Sequence, residues 1–337
     1  MDNLQRHTRR LFAHRRGILG LDTAPACLTA RFRVAAIRPS TRAADNYLAM
    51  LLGTPDLAEA TSGVVLHPAT FQRLAERGQR TAALLDEAGI LVGVRADDGS
   101  EPLTSDGREL VTSGLDGLAA RLRRLAELGA TFAVWSTVTS TDPDALRVVT
   151  ANSQAAARFG YLCQDLGLVP VIRVGTRITG GGPRATEGGG PIAGGLLCSR
   201  QASVAAALLD VCGHLEDFGV DLGAVVISTD PGTADPTDPF AGSPLTALPG
   251  RLGGVALTGG WPCPRAAADA VARVCLADPP WPVTFYLGRQ LTQPALAAWG
   301  GRAASVPAAQ RVLRAGLSTA SAALGSGEPT LASRRLP

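Results

Sequence analysis

The sequence predicts an α/β protein built as a single-domain (β/α)8 barrel of TIM type. Short apolar, β-rich runs recur along the chain with helical segments between them, which is the pattern of a parallel sheet. Eight such runs fall within the 337 residues, the number that closes a barrel. An open doubly wound sheet is the alternative, but no GxGxxG follows the first run.

In chain order the runs are Gly17–Asp22 (GILGLD), Gly63–His67 (GVVLH), Leu91–Arg95 (LVGVR) and Phe132–Val138 (FAVWSTV). Val169–Val174 (VPVIRV), Gly223–Thr229 (GAVVIST), Gly254–Gly260 (GVALTGG) and Pro282–Arg289 (PVTFYLGR) complete the set. The intervening segments read as amphipathic helices. Leu115–Leu128 is the clearest, with Leu115, Leu118, Leu122, Leu125 and Leu128 on one face. Gly180–Gly195 reads as a Gly-rich loop after the fifth run, either a lid or low-complexity filler. Asp230–Pro249 reads as a second long loop. The expected division is a barrel over 1–324 and a flexible tail over 325–337.

Hydrophobic residues make up 46% of the chain, enough for a large core, but only 4% is aromatic, so Ala, Leu and Val must fill it. A net charge of +3 gives no case for a nucleic-acid partner. The arginines at 6, 9, 10, 15 and 16 read as a solvated helix face. No apolar run reaches the ~20 residues of a membrane span, and no signal-peptide core is seen. The six cysteines are scattered without a CxxC pair, so reduced thiols and a cytoplasmic location are expected. Every one of the 32 Lys+Arg residues is arginine, and the chain holds no lysine. GC-rich coding that trades Lys for Arg is one explanation, and functional loss is the other.

Barrels of this type place their chemistry at the C-terminal ends of the strands. Those ends carry Asp22, His67, Arg95, Trp135 with Ser136, Arg173, Ser228 with Asp230, Thr258 with Gly259 and Gly260, and Arg289. Guanidinium cannot shed its charge and needs a carboxylate, a phosphate or water. The three arginines therefore suggest an anionic small molecule as ligand, or else a ring of internal salt bridges with Asp22, Asp97, Asp98 and Asp230. The turn Thr258–Gly259–Gly260 offers backbone N–H groups, and Arg289 stands at the end of the next strand, where such barrels commonly hold phosphate. Of the four histidines only His67 sits at a strand end, and no His/carboxylate cluster has ligand spacing, so neither a metal nor another cofactor is expected.

The stretches RGILGLD, SGVVLH, GILVGVRADDGSEPL, SGLDGLAARL, LGATFAVW, GLVPVI, ALTGG, TFYLGR and ALAAWGG resemble class I fructose-bisphosphate aldolase over nearly the whole chain. The resemblance implies a barrel, a tetramer as the usual assembly, and cleavage through a Schiff base on lysine without metal. It also implies that Arg31, Arg289, Gly259 and Gly260, with Thr258 in place of a serine, grip a sugar phosphate, and that Asp22 handles hydroxyl protons.

The family's catalytic lysines are not matched. The Schiff-base lysine aligns with Ser228 and a second active-site lysine with Val134. Ser136 replaces an arginine, Arg173 and Gly175 replace two glutamates, and Arg95 replaces a third lysine. The family's C-terminal tyrosine has no counterpart. A Schiff base needs a neutral primary amine, which neither arginine nor serine supplies. The expectation is therefore an aldolase-like barrel turned to lyase, aldol-type or isomerase chemistry without an iminium, with Asp22, Arg173, Ser228 and Arg95 catalytic. Arg31, Thr258, Gly259, Gly260, Arg289, Ser136 and His67 are the expected anion-binding residues. The alternatives are an inactive relative that binds a sugar phosphate or a protein, and a true aldolase.

Overall fold

A computed structural model describes residues 2–77, 81–107, 109–139, 146–176, 194–232, 240 and 242–326. Each predicted run overlaps a strand: β1 (Gly17–Leu21), β2 (Thr61–Leu66), β3 (Leu91–Arg95), β6 (Phe132–Thr139), β7 (Val169–Thr176), β8 (Val226–Thr229), β9 (Gly254–Leu257) and β10 (Val283–Leu287). All neighbouring pairs are parallel, and β10 closes on β1 to complete the barrel. Closure leaves no sheet edge unpaired. The predicted helix at 115–128 forms over Leu118–Glu127 and buries Leu118, Leu122 and Leu125, with Leu115 and Leu128 packed beside the core.

Helices fill the connections except between β8 and β9, where the described residues hold only the short 3-10 turn Pro244–Ala247. That connection is the predicted loop at 230–249, of which 233–239 and 241 lie outside the described residues. Most of the Gly-rich segment 180–195 lies outside them too, apart from Gly194 and Gly195, which begin the helix Gly194–Asp217. The predicted flexible tail is described only at Gly325 and Ser326.

One element was not anticipated. β4 (Gly99–Pro102) and β5 (Leu110–Ser113) form an antiparallel hairpin after β3. It is latched to the barrel by Asn152, which accepts from Thr112 N–H at 2.8 Å and donates to Leu110 O at 3.1 Å and Val138 O at 2.7 Å. The Thr112 hydroxyl adds a bond to Ser136 O at 2.7 Å.

Two apolar layers follow from the twofold alternation of side chains along the strands. The outer layer packs between sheet and helices. The inner one includes Ile18, Val65, Leu91, Phe132, Val134, Val171, Val226, Ala256 and Tyr286. Small residues make room for large ones here. A Cβ on Gly93 would run into the Phe132 ring, and one on Gly20 would lie 2.8 Å from the Tyr286 ring.

The helix Asp2–Leu11 stoppers the N-terminal end of the barrel. Leu11 is fully buried in the inner layer, its carbonyl accepts from the Ser62 hydroxyl at 2.7 Å, and the Phe12 ring fills the space above Gly254. The N-terminal arginines flank this plug. Arg6, Arg9 and Arg15 are exposed, while Arg10 pairs with Asp86 at 2.8 Å.

Candidate active-site mouth

Alternation decides which side chains face the barrel interior. On β7, Val169 and Val171 lie inside, so Arg173 does as well. On β8, Val226 lies inside and brings Ser228 with it, beside Arg173 in register. On β6 the same reasoning places Val134 and Ser136 inward, and Ser136 pairs with Arg173. On β1, Ile18, Gly20 and then Asp22 follow one another along the inner face. The open end of the barrel therefore gathers Asp22, Arg95, Ser136, Arg173 and Ser228 in one belt.

The arginines there meet different fates. Arg95 is committed to Asp97, whose carboxylate oxygen Oδ1 accepts from Nε at 2.8 Å and from a terminal nitrogen at 2.5 Å. The Asp97 side chain is 1% exposed and is also held by the backbone N–H groups of Gly99 at 3.1 Å and Ser136 at 3.0 Å. Burial opposes the charge on Arg95, and Asp97 with Asp22 and Tyr286 together outweigh it, so the pKa of Arg95 lies above the usual arginine value. This is the internal salt bridge that the sequence left open as the alternative reading for Arg95.

Arg173 is held far more loosely. Its nearest acid is Asp22 at 3.7 Å, too long for a hydrogen bond, and its guanidinium lies 5.0 Å above the centre of the Tyr286 ring. Among the described residues it makes no hydrogen bond. Burial works against its charge, while Tyr286, Asp22 and Asp97 together favour it, and its pKa also stays high. Two hydroxyls in the same interior lack any partner among the described residues, those of Ser228 and Tyr286. Both residues are buried, at 0% and 3% exposure. Burial also pushes the Tyr286 phenol well above the tyrosine range, so it keeps its proton.

His67 stands just past β2 and caps the helix Pro68–Glu76, its Nδ1 accepting from Ala69 N–H at 3.3 Å. Burial first, and then Arg95, lowers its pKa, which keeps the ring neutral. Arg31 lies on the helix Pro25–Val34 and is tied to the helix Arg289–Trp299. It donates to Gln293 at 2.9 Å, Thr292 at 3.1 Å and Thr23 at 3.3 Å. Arg289 is exposed at the first turn of that helix.

The turn after β9 has an occupant from the chain itself. An Asp230 carboxylate oxygen would lie 3.1 Å from a Cβ on Gly259, and the Trp261 ring is as close, so only glycine fits there. Asp230 accepts from Gly232 N–H at 3.0 Å and is held by the Gly260 N–H, yet burial raises its pKa. Gln290 donates to Gly259 O at 2.6 Å. Gly259 and Gly260 thus lie against an acidic side chain, which the sequence offers only as a salt-bridge partner for the arginines.

Tyr286 is the other residue missed. Its position was readable, because Thr284 and Tyr286 alternate along the PVTFYLGR run, but a tyrosine among apolar neighbours reads as core. Among the described residues no group of three or more His, Cys, Asp or Glu could hold a metal.

A closed parallel barrel, plugged below and polar at the C-terminal ends of its strands, defines the class as a (β/α)8 barrel with its site at the mouth. Comparison with known proteins gives the family. The model of "Fructose-bisphosphate aldolase class-I" matches residues 3–182, more than half of the chain. A probable class 1 fructose-bisphosphate aldolase of Xanthomonas campestris pv. campestris is 30% identical over 89% of this chain and 90% of its own. The fructose-bisphosphate aldolase of Dictyostelium discoideum is 31% identical over 92% of this chain and 88% of its own. The fructose-bisphosphate aldolase of Plasmodium falciparum, solved in complex with TRAP and a small-molecule inhibitor, superposes with a TM-score of 0.84 at 25% identity, covering 98% of this chain and 95% of that one. The chain belongs to the class I fructose-bisphosphate aldolase family.

Proposed function

We propose that this aldolase-family barrel acts on a phosphorylated or otherwise anionic small molecule without a Schiff base. The observation that carries the reading is the set of uncommitted donors at Arg173 and Ser228 beside the Asp22 carboxylate, in a chain with no lysine. Asp22 accepts a proton from a substrate hydroxyl, or from a carbon next to a carbonyl. The electron pair released moves onto the carbonyl oxygen as an enolate. Arg173 holds that charge, and Asp22 later returns the proton. Arg95, locked to Asp97, shapes the field of the mouth, and Ser136 and His67 line it. Thr258, Gly259, Gly260 and Arg289, with Arg31 on the outer side, are assigned to the phosphate end of the ligand. Assembly as a homo-oligomer and a cytoplasmic location belong to this reading. No helix of the described residues is long and apolar enough to cross a membrane.

A second reading is a binding barrel without turnover. It is favoured by Asp230, which fills the glycine turn that an anion would need. The relative from Plasmodium falciparum was solved in complex with TRAP, so a barrel of this family has been captured with a partner bound.

The test is a thermal-shift screen of phosphorylated and carboxylated sugars and sugar acids. It is followed by turnover assays on each compound that stabilises the protein. A ligand at 100 times its Kd adds about 2.7 kcal/mol. Borohydride treatment with dihydroxyacetone phosphate is expected to leave no adduct, and fructose 1,6-bisphosphate is expected to remain uncleaved. A trapped adduct would sink the non-covalent reading, and stabilisation without turnover of any binder would favour the second.

A further inference from the structure

We infer that the hydroxyls of Tyr286 and Ser228 form a paired donor site on the floor of the mouth for a carbonyl or carboxylate oxygen of the ligand. The inference rests on the anionic-ligand reading above and adds to it a residue and an atom. Both hydroxyls are buried in the barrel interior with no partner among the described residues. An unmet buried hydroxyl costs the fold free energy unless something bonds it, and two on the inner face near the strand ends point to a ligand that does. The chain has made room for Tyr286. Gly20 is the position on β1 that its ring crosses, and a side chain there would collide with it at 2.8 Å.

The neighbours define the chemical class. Arg173 lies over the Tyr286 ring and favours an oxygen with negative character. Asp22, 3.7 Å from Arg173, repels a full dianion. A phosphate therefore does not suit the floor, whereas a carbonyl oxygen that gains charge as an enolate does, as does a carboxylate. The Tyr286 phenol is held above its ordinary pKa, so it serves as a hydrogen-bond donor and not as a proton shuttle.

The test uses the full chain and two probes, inorganic phosphate and 2-phosphoglycolate, by calorimetric titration. The wild type is expected to bind 2-phosphoglycolate more tightly than phosphate. Tyr286→Phe and Ser228→Ala are each expected to weaken 2-phosphoglycolate roughly tenfold or more while leaving phosphate unchanged. A second readout needs no Tyr286 variant. The chain has three tyrosines, so ring-carbon labelling gives three resonances, and Tyr47→Phe and Tyr161→Phe identify the third. The Tyr286 signal is expected to move with 2-phosphoglycolate and to stay still with phosphate. If phosphate binds but the Tyr286 signal does not respond to 2-phosphoglycolate, or Tyr286→Phe binds it as the wild type does, the donor pair is overturned and the anion reading stands. If neither probe binds, the anion reading is overturned and the donor pair falls with it.

Discussion

Single residues at the mouth divide by how fully their hydrogen-bonding capacity is already used. Arg95 is tied to Asp97, and Arg31 spends three of its five donors on Thr23, Thr292 and Gln293, whereas Arg173 keeps its donors. Residue type alone could not separate these cases, because all three read as guanidinium at or near a strand end. Asp230 is the counterpart on the acidic side. Its carboxylate holds the glycine turn although burial raises its pKa. An acid raised in this way opposes an incoming anion when ionised and stops opposing it once protonated. Sulfate affinity should therefore rise as pH falls through the Asp230 pKa, since sulfate itself keeps a constant charge over that range. Asp230→Asn should bind sulfate roughly tenfold more tightly at neutral pH and lose that pH step, as read by titration calorimetry. An unchanged profile would mean that sulfate does not use the turn.

Elements were legible to the extent that they carried apolar periodicity. All eight barrel strands overlap the runs read from sequence, with β2, β6 and β7 reaching one or two residues beyond them, because inner and outer layers both demand Val, Ile and Leu there. The hairpin of β4 and β5 was not legible, since GSEP is short, polar and partly exposed and LVTS is only four residues long, and both read as loop. What makes them strands is tertiary, namely the Asn152 side chain on a distant helix that satisfies the hairpin backbone. Asn152→Ala leaves the Thr112 N–H and the Leu110 carbonyl without that partner. It should lower stability by about 2–3 kcal/mol in urea unfolding. Hydrogen exchange should speed up first at Leu110–Ser113. A loss below about 0.5 kcal/mol would show that the hairpin is held by other contacts.

The whole molecule is a barrel whose overall architecture was written in the sequence and whose site was only partly so. The belt of Asp22, Arg173 and Ser228 followed from strand ends, but the central place of Tyr286 depends on ring packing against Gly20, which pattern alone does not reveal. Two histidines affect the pH response of the entire fold. Burial, then neighbouring arginines, lowers the pKa of His7 and His67 below 6.5. The unfolded chain takes up these protons first. Stability should therefore hold above pH 7 and decline as pH falls through 6.5 toward the folded values. Urea midpoints at pH 7.5 and 5.5 should differ in that direction, and by less in His67→Gln. Equal midpoints would remove His67 from this account. The stopper formed by Leu11 and Phe12 lies under an inner layer of side chains that already fills the barrel, so nothing passes from one end to the other. With the lower end sealed, the barrel is a cul-de-sac. A molecule that binds at the mouth therefore arrives and departs by the same opening.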